Sequence, residues 1–182
     1  MKNILSLMTI LALLLSACGQ KADKNGASKS EFNKEEAVKN FSEQKTLVDK
    51  AKKDKKLKQK LREEIGLKTF NGEAVEITEA ELWYEGQNIV RIDVRFYNGL
   101  PVGTKHWYIK DGNPLGLDVA LFEQDKDASI KEKTIYSLLR NNSANSWIPG
   151  SGEVKIEKVK SENDAEWELL KGLAEKYKPK AE

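Results

Sequence analysis

Histidine occurs once in the 182-residue chain, at His106, and cysteine once, at Cys18. Those two counts bound most of the chemistry. Zinc would need a histidine–cysteine cluster that the sequence does not contain. A serine nucleophile could take only His106 as its base, and Gly150-Ser151-Gly152 lacks the spacing of a nucleophile elbow. Ser42 and Lys45 have Ser-x-x-Lys spacing, but they fall in a helical charge pattern without companion motifs. Asp125, Asp127 and Ser129 echo the first ligands of a calcium loop. Ile130 stands where the turn glycine belongs, however, and Tyr136 where the bidentate glutamate belongs. What remains is acid–base chemistry, either a His106–Asp118 dyad or a pair of carboxylates brought together by the fold. The expectation is no catalytic residue, no cofactor and no metal, with a hydrolase using carboxylates or His106 as the alternative.

The elements that would position these groups are strands. Val90, Ile92, Val94 and Phe96 alternate with Arg91, Asp93, Arg95 and Tyr97, the period-two pattern of a strand with one buried and one wet face. Leu82 and Tyr84 before it, then Trp107 and Ile109, then Leu115, Leu117, Val119 and Leu121 continue the alternation. Gly86-Gln87-Asn88, Asn98 to Gly103 and Asp111-Gly112-Asn113-Pro114 punctuate the run with turn residues. The pattern predicts an antiparallel meander over 82–122. Keeping apolar opposite apolar pairs Leu82 with Ile92, Val94 with Trp107 and Trp107 with Leu117. These registers put Arg95, His106 and Asp118 in one row on the opposite face, Asp93 beside Tyr108 and Trp83 beside Arg91. Two uses compete for that face: a solvated surface laced with ion pairs, or a partner-binding surface made of Trp83, Arg91, Arg95, His106, Tyr108 and Asp118.

Tyr97-Asn98-Gly99, Gly103, Trp107-Tyr108, Asp111-Gly112 and Gly116 resemble the repeat of MORN-type hairpins, in the variant form of some bacterial antitoxin-like proteins. The resemblance covers about residues 83–117 and implies a binding or scaffolding hairpin module without catalytic residues.

Met1-Lys2-Asn3 precedes an apolar run from Ile4 to Leu15 that is broken only by Ser6 and Thr9. A positive end, a short apolar core and small residues before a cleavage point make a secretory leader, too short to remain as a membrane span. Leu15-Ser16-Ala17-Cys18 resembles the lipobox of bacterial lipoproteins. That resemblance implies removal of 1–17, acylation of Cys18 with palmitate-type chains and a membrane anchor. Gly19 in place of an aspartate favours the outer membrane. With Cys18 acylated, neither a disulfide nor a free thiol is left within the chain.

Removing Lys2 with the leader leaves 30 basic against 29 acidic side chains. So small a net charge on an exported chain argues against nucleic acid, and the anchored location makes an envelope protein or polymer the expected partner. The charge is nonetheless divided: residues 18–66 hold 14 basic and 9 acidic side chains, whereas 67–182 hold 16 and 20. Residues 18–32 read as a flexible tether. Asn33-x-x-Glu36 is a capping box that opens a basic helical arm over 33–66, with a stop at Gly66-Leu67. Val38, Phe41 and Val48 share one side of this helix, while Leu47, Ala51, Leu57, Leu61 and Ile65 share another. The arm therefore either breaks near 42–45 or docks on two surfaces. Eight basic residues and one acidic lie between Lys50 and Arg62, a pattern suited to a solvated face or to anionic headgroups.

Phe70-Asn71-Gly72-Glu73 predicts a turn into an extra strand over 74–77. Ser129-x-x-Glu132 predicts a middle helix with Ile130, Ile135, Leu138 and Leu139 on one side. Trp147 to Gly152 reads as a loop in which Trp147 is either a plug over the core edge or a contact residue, and Val154 and Ile156 as a short strand. Ser161-x-x-Asp164 caps a terminal helix carrying Trp167, Leu170, Leu173, Ala174 and Tyr177, stopped by Pro179. The fold class is α+β: an antiparallel meander of five or six strands with N-terminal, middle and C-terminal helices, in one domain over 67–182.

Overall fold

The computed structural model describes residues 32–60, 76–97, 101–124, 126–140, 147–154 and 156–181. The predicted leader, Cys18, the predicted tether up to Glu31, the predicted arm beyond Lys60 and the predicted turn at Phe70 lie outside the described residues. Described elements run in the order α1 (Lys34–Lys53), β1 (Lys58–Lys60), β2 (Glu76–Glu85), β3 (Asn88–Tyr97), β4 (Pro101–Lys110), β5 (Asn113–Gln124), β6 (Ile130–Arg140), β7 (Trp147–Ser151) and α2 (Ile156–Lys176).

The meander is as expected and longer. Seven antiparallel strands, the first of only three residues, neighbour one another in sequence order. Two-residue links, Gly86-Gln87 and Asp111-Gly112, close the β2–β3 and β4–β5 hairpins. Asp111 and Gly112 both take positive φ, at 52° and 74°, which a tight hairpin turn needs and an aspartate–glycine pair tolerates. Every ladder from β2 to β7 contains a register shift, and such irregularities increase the twist of a sheet.

Leu82 pairs with Ile92, and Trp107 with Leu117, as the alternation predicts. The β3–β4 register differs by two residues: Ile92, not Val94, faces Trp107. A two-residue slip keeps every side chain on its face, so the hydrophobic pattern cannot choose between these registers. The turn chooses. Pairing Val94 with Trp107 would close the hairpin on Leu100-Pro101, where a type I′ turn demands a positive φ that proline cannot take and a type II′ turn demands one that Leu100 disfavours. The observed ladder instead pairs Tyr97 with Pro101 and leaves 98–100 for the connection.

One face of the sheet packs on α2. Leu82, Ile92, Val94, Trp107, Leu117, Val119, Leu138, Trp167 and Leu170 form the main core, with Trp107 stacked on Trp167 at 5.6 Å and edge-on to Trp147 at 5.5 Å. Trp147 is buried, so it is the plug that its position suggested, though on a strand rather than a loop. Pro149 is tolerated because β7 is an edge.

Two elements are corrected. Residues 130–140 form β6, not a helix: Ile130, Thr134, Ile135 and Tyr136 favour a strand, and without β6 the apolar β5 would have an open ladder. Val154 precedes and Ile156 opens α2, so no strand forms there. The terminal helix starts at Ile156, five residues before Ser161, and buries Trp167, Leu170 and Ala174 as expected.

The helical arm is also shorter than predicted and belongs to the domain. Asn33 caps α1 by accepting the Glu36 N–H at 3.1 Å, and the helix runs unbroken through 42–45 to its end at Lys53. Lys55, at φ 56°, turns the chain so that Lys58–Lys60 can pair with β2. Phe32 to Glu182 is one compact unit. α1 lies on the sheet face opposite α2, giving three layers. Phe41, Val48 and Leu57 pack there with Val90, Tyr108 and Leu139.

Candidate functional site: the polar layer beneath α1

One stripe of α1 faces the sheet, and it mixes apolar with charged residues. Phe41 and Val48 are buried on it; Lys45, Asp49 and Lys52 interleave at the same helical spacing. Phe41 meets the Tyr108 ring edge-on at 5.3 Å. Gly116 makes room for it, since a Cβ there would come within 2.8 Å of the Phe41 ring and 2.6 Å of the Leu138 carbonyl oxygen.

Under the helix, Asp93 is the hub. Its Oδ1 accepts from Arg91 Nε at 2.5 Å and from His106 Nδ1 at 2.7 Å, and its Oδ2 from Lys52 Nζ at 2.6 Å and Trp83 Nε1 at 3.1 Å. Lys52 also lies 4.1 Å above the Trp83 ring, a cation–π contact. Arg91 spans the interface: its guanidinium bonds Asp49 of α1 and donates to the Tyr108 hydroxyl at 3.1 Å. The Tyr108 hydroxyl donates in turn to Asp49 at 3.2 Å. His106 Nε2 lies 2.7 Å from Glu132 Oε1. Asp118 bonds Lys45 of α1 and accepts from Ser137 Oγ at 2.5 Å.

Titration follows from these contacts. Burial works against the Asp93 anion, but the His106 hydrogen bond and the charges of Arg91, His106 and Lys52 outweigh it and hold the carboxyl well below the usual range. Burial likewise works against a His106 cation. The hydrogen bond and charge of Asp93, helped by Glu132, overcome both burial and the Arg91 charge, so the imidazole is raised above its ordinary value. Its two nitrogens then both donate, one to each carboxylate. Burial and the surrounding carboxylates push the Tyr108 hydroxyl far up, despite Arg91, and it stays protonated.

Of the residues singled out in the sequence, Arg91, Tyr108 and Asp118 are buried and Trp83 and His106 half-buried; Arg95 stays exposed and pairs with Glu79 at 3.4 Å. The cross-strand row is Asp93, His106 and Asp118, with Arg95 one row along opposite Thr104. Trp83 lies opposite Arg91 as expected, whereas Tyr108 also faces Arg91 and not Asp93. No His106–Asp118 dyad forms, because His106 spends both nitrogens on Asp93 and Glu132 while Asp118 is held by Lys45 and Ser137. Sequence reasoning left the hub Asp93 out of the binding set, and missed Glu132, assigned to a helix cap, and the α1 partners Lys45, Asp49 and Lys52, whose spacing with Phe41 and Val48 was the available signal.

The layer opens to solvent in a depression of about 440 Å³ between Lys45, Lys52 and Lys53 of α1 and His106, Glu132 and Thr134 of the sheet. Among the described residues no group of histidine, cysteine and carboxylate side chains is placed to hold a metal ion. On the opposite face a second buried pair, Lys105 with Glu166 at 2.7 Å, sits among the tryptophans, and Trp107 Nε1 donates to the same carboxylate at 2.9 Å. Comparison with protein-family models, with curated proteins and with solved structures finds no match for the chain.

Proposed function

We propose that the protein is a lipid-anchored cell-envelope protein, acylated at Cys18, that works as a non-catalytic binding or scaffold module. The observation that carries the non-catalytic reading is the saturation of the polar layer. A general base needs a lone pair aimed at substrate. Both nitrogens of His106 are aimed at Asp93 and Glu132, and Asp93 is held as an anion by three cations. The same contacts tell against a hydrolase built on His106.

The anchor rests on Leu15-Ser16-Ala17-Cys18 and the apolar leader before it. The hairpin resemblance over 83–117 supports a scaffold role in the same sense. With the middle of the polar face under α1, binding falls to its open parts: Arg95 and the depression bordered by His106, Glu132 and Thr134. A mixed-charge rim of this kind suits an envelope protein or polymer as partner, on the outer membrane and facing the periplasm or cell surface.

Two measurements test the two halves. Fatty-acid labelling should disappear in Cys18→Ser, and persistent labelling refutes the anchor. A photo-crosslinker at Thr134 should give a defined envelope adduct that weakens in Arg95→Glu; the absence of any adduct refutes the binding surface.

A further inference from the structure

The last turn of α1 and the residues after it carry Lys50, Lys52, Lys53, Lys55, Lys56 and Lys58, with Asp54 as the one acidic residue between them. Lys52 turns inward to Asp93; the other five lysines are exposed. Lys50, Lys53 and Lys55 are exposed on this surface. Asp54 lies 3.8 Å from Lys56, Asp49 is committed to Arg91, and Glu85 is exposed at the end of β2. One turn before Lys50, on the same outward helix face, Leu47 is 65% exposed.

One exposed leucine is ordinary on a protein surface; what sets Leu47 apart is its place among these lysines and beside a groove. Beside Leu47 runs a groove of about 340 Å³ with Val48, Ala51, Leu57 and Val90 in its walls and Lys50, Asp54, Lys56 and Glu85 at its polar margin. Apolar side chains flanked by lysines are the composition that lies in a bilayer interface, the former reaching the acyl boundary and the latter the phosphates.

We propose that this end of the domain docks on an anionic phospholipid bilayer, with Leu47 entering the interface and Lys50, Lys53, Lys55 and Lys56 over the headgroups. The contact deepens the membrane-bound reading but does not require acylation. The experiment below separates the two.

The mature chain from residue 18 carrying Cys18→Ser has neither leader nor acyl chain, and is sedimented with phosphatidylcholine vesicles with or without phosphatidylglycerol. Binding is expected only with phosphatidylglycerol, and it should fall as salt shortens the screening length from about 10 Å to about 3 Å. Lys50→Glu with Lys53→Glu should weaken it by more than about tenfold, since each basic residue near a charged surface contributes about fivefold. Lys50→Arg with Lys53→Arg should retain it, and Leu47→Gln should weaken it without changing the circular dichroism. Equal binding to neutral vesicles, no binding to either kind, or charge-reversed variants that bind like the parent each overturn the proposal. Failure here leaves Cys18 labelling as a separate result.

Discussion

His106 and Asp93 face each other across the β3–β4 ladder, with Nδ1 2.7 Å from Oδ1, and the other imidazole nitrogen is held by Glu132 at 2.7 Å. A histidine between two carboxylates is an ion pair that depends on its proton.

The sign of the pH dependence follows. His106 is raised above 6.5, so its contribution is fully present below that unfolded-state value and is lost as pH rises through the higher folded-state value. The denaturation midpoint of the protein should therefore fall as pH climbs above 6.5, and His106→Gln should flatten that slope. An unchanged slope in the variant would remove His106 from the account.

Asp93 works in the opposite direction. Its folded-state value lies well below 3.8, so its contribution is present above 3.8 and is lost as pH falls through the folded value. Asp93→Asn removes the anion shared by Arg91, His106 and Lys52, and breaking one side of a buried pair costs roughly 3–5 kcal/mol. Urea denaturation at neutral pH should register that loss; a cost under about 1 kcal/mol would mean that the three cations do not depend on it.

Gly116→Ala should loosen α1 from the sheet, since the new methyl group meets the Phe41 ring and the Leu138 carbonyl. Overpacking of this kind costs about 1–3 kcal/mol. Hydrogen exchange in α1 should accelerate more than in α2, and uniform acceleration would place the strain elsewhere.

Trp83 and Arg95 looked equivalent in the sequence, and the structure separates them. Trp83 lies under Lys52 and donates to Asp93, so Trp83→Ala should cost stability, whereas Arg95→Ala should change it by less than about 0.5 kcal/mol. If Arg95 anchors a partner, its truncation should weaken binding by about 1–2 kcal/mol. Equal stability losses in the two variants would contradict this division.

The sheet was legible because alternation at Val90 to Phe96 and turn chemistry at Asp111-Gly112 are local signals. β6 was misread because Ile130, Ile135, Leu138 and Leu139 fit a helical stripe in part, and the open edge of β5 that they complete is a long-range demand. Lys105 carried a signal that was passed over. It shares parity with Trp107 and Ile109, so it had to enter the apolar face, where Glu166 meets it. The polar layer itself was half visible: parity put Asp93, His106 and Asp118 on one face, but the two-residue register error set Arg95 in Asp93's place beside His106, and sequence order says nothing about which helix lies over them. The cover comes from α1, whose charged residues looked like a solvated face because their partners are about forty to seventy positions away.

The central claim is that α1 is docked on the polar face through charge pairs, which makes that face an interior layer and moves recognition to its rim. A double-mutant cycle between Asp49 of α1 and Arg91 of β3 tests it most directly, with Asp49→Ala, Arg91→Ala and the double variant compared by urea denaturation. Partners in one hydrogen-bonded network couple by about 0.5–3 kcal/mol, so the double variant should lose less stability than the two single losses added together. Strictly additive losses would mean that Asp49 and Arg91 do not meet, and that the polar face lies open.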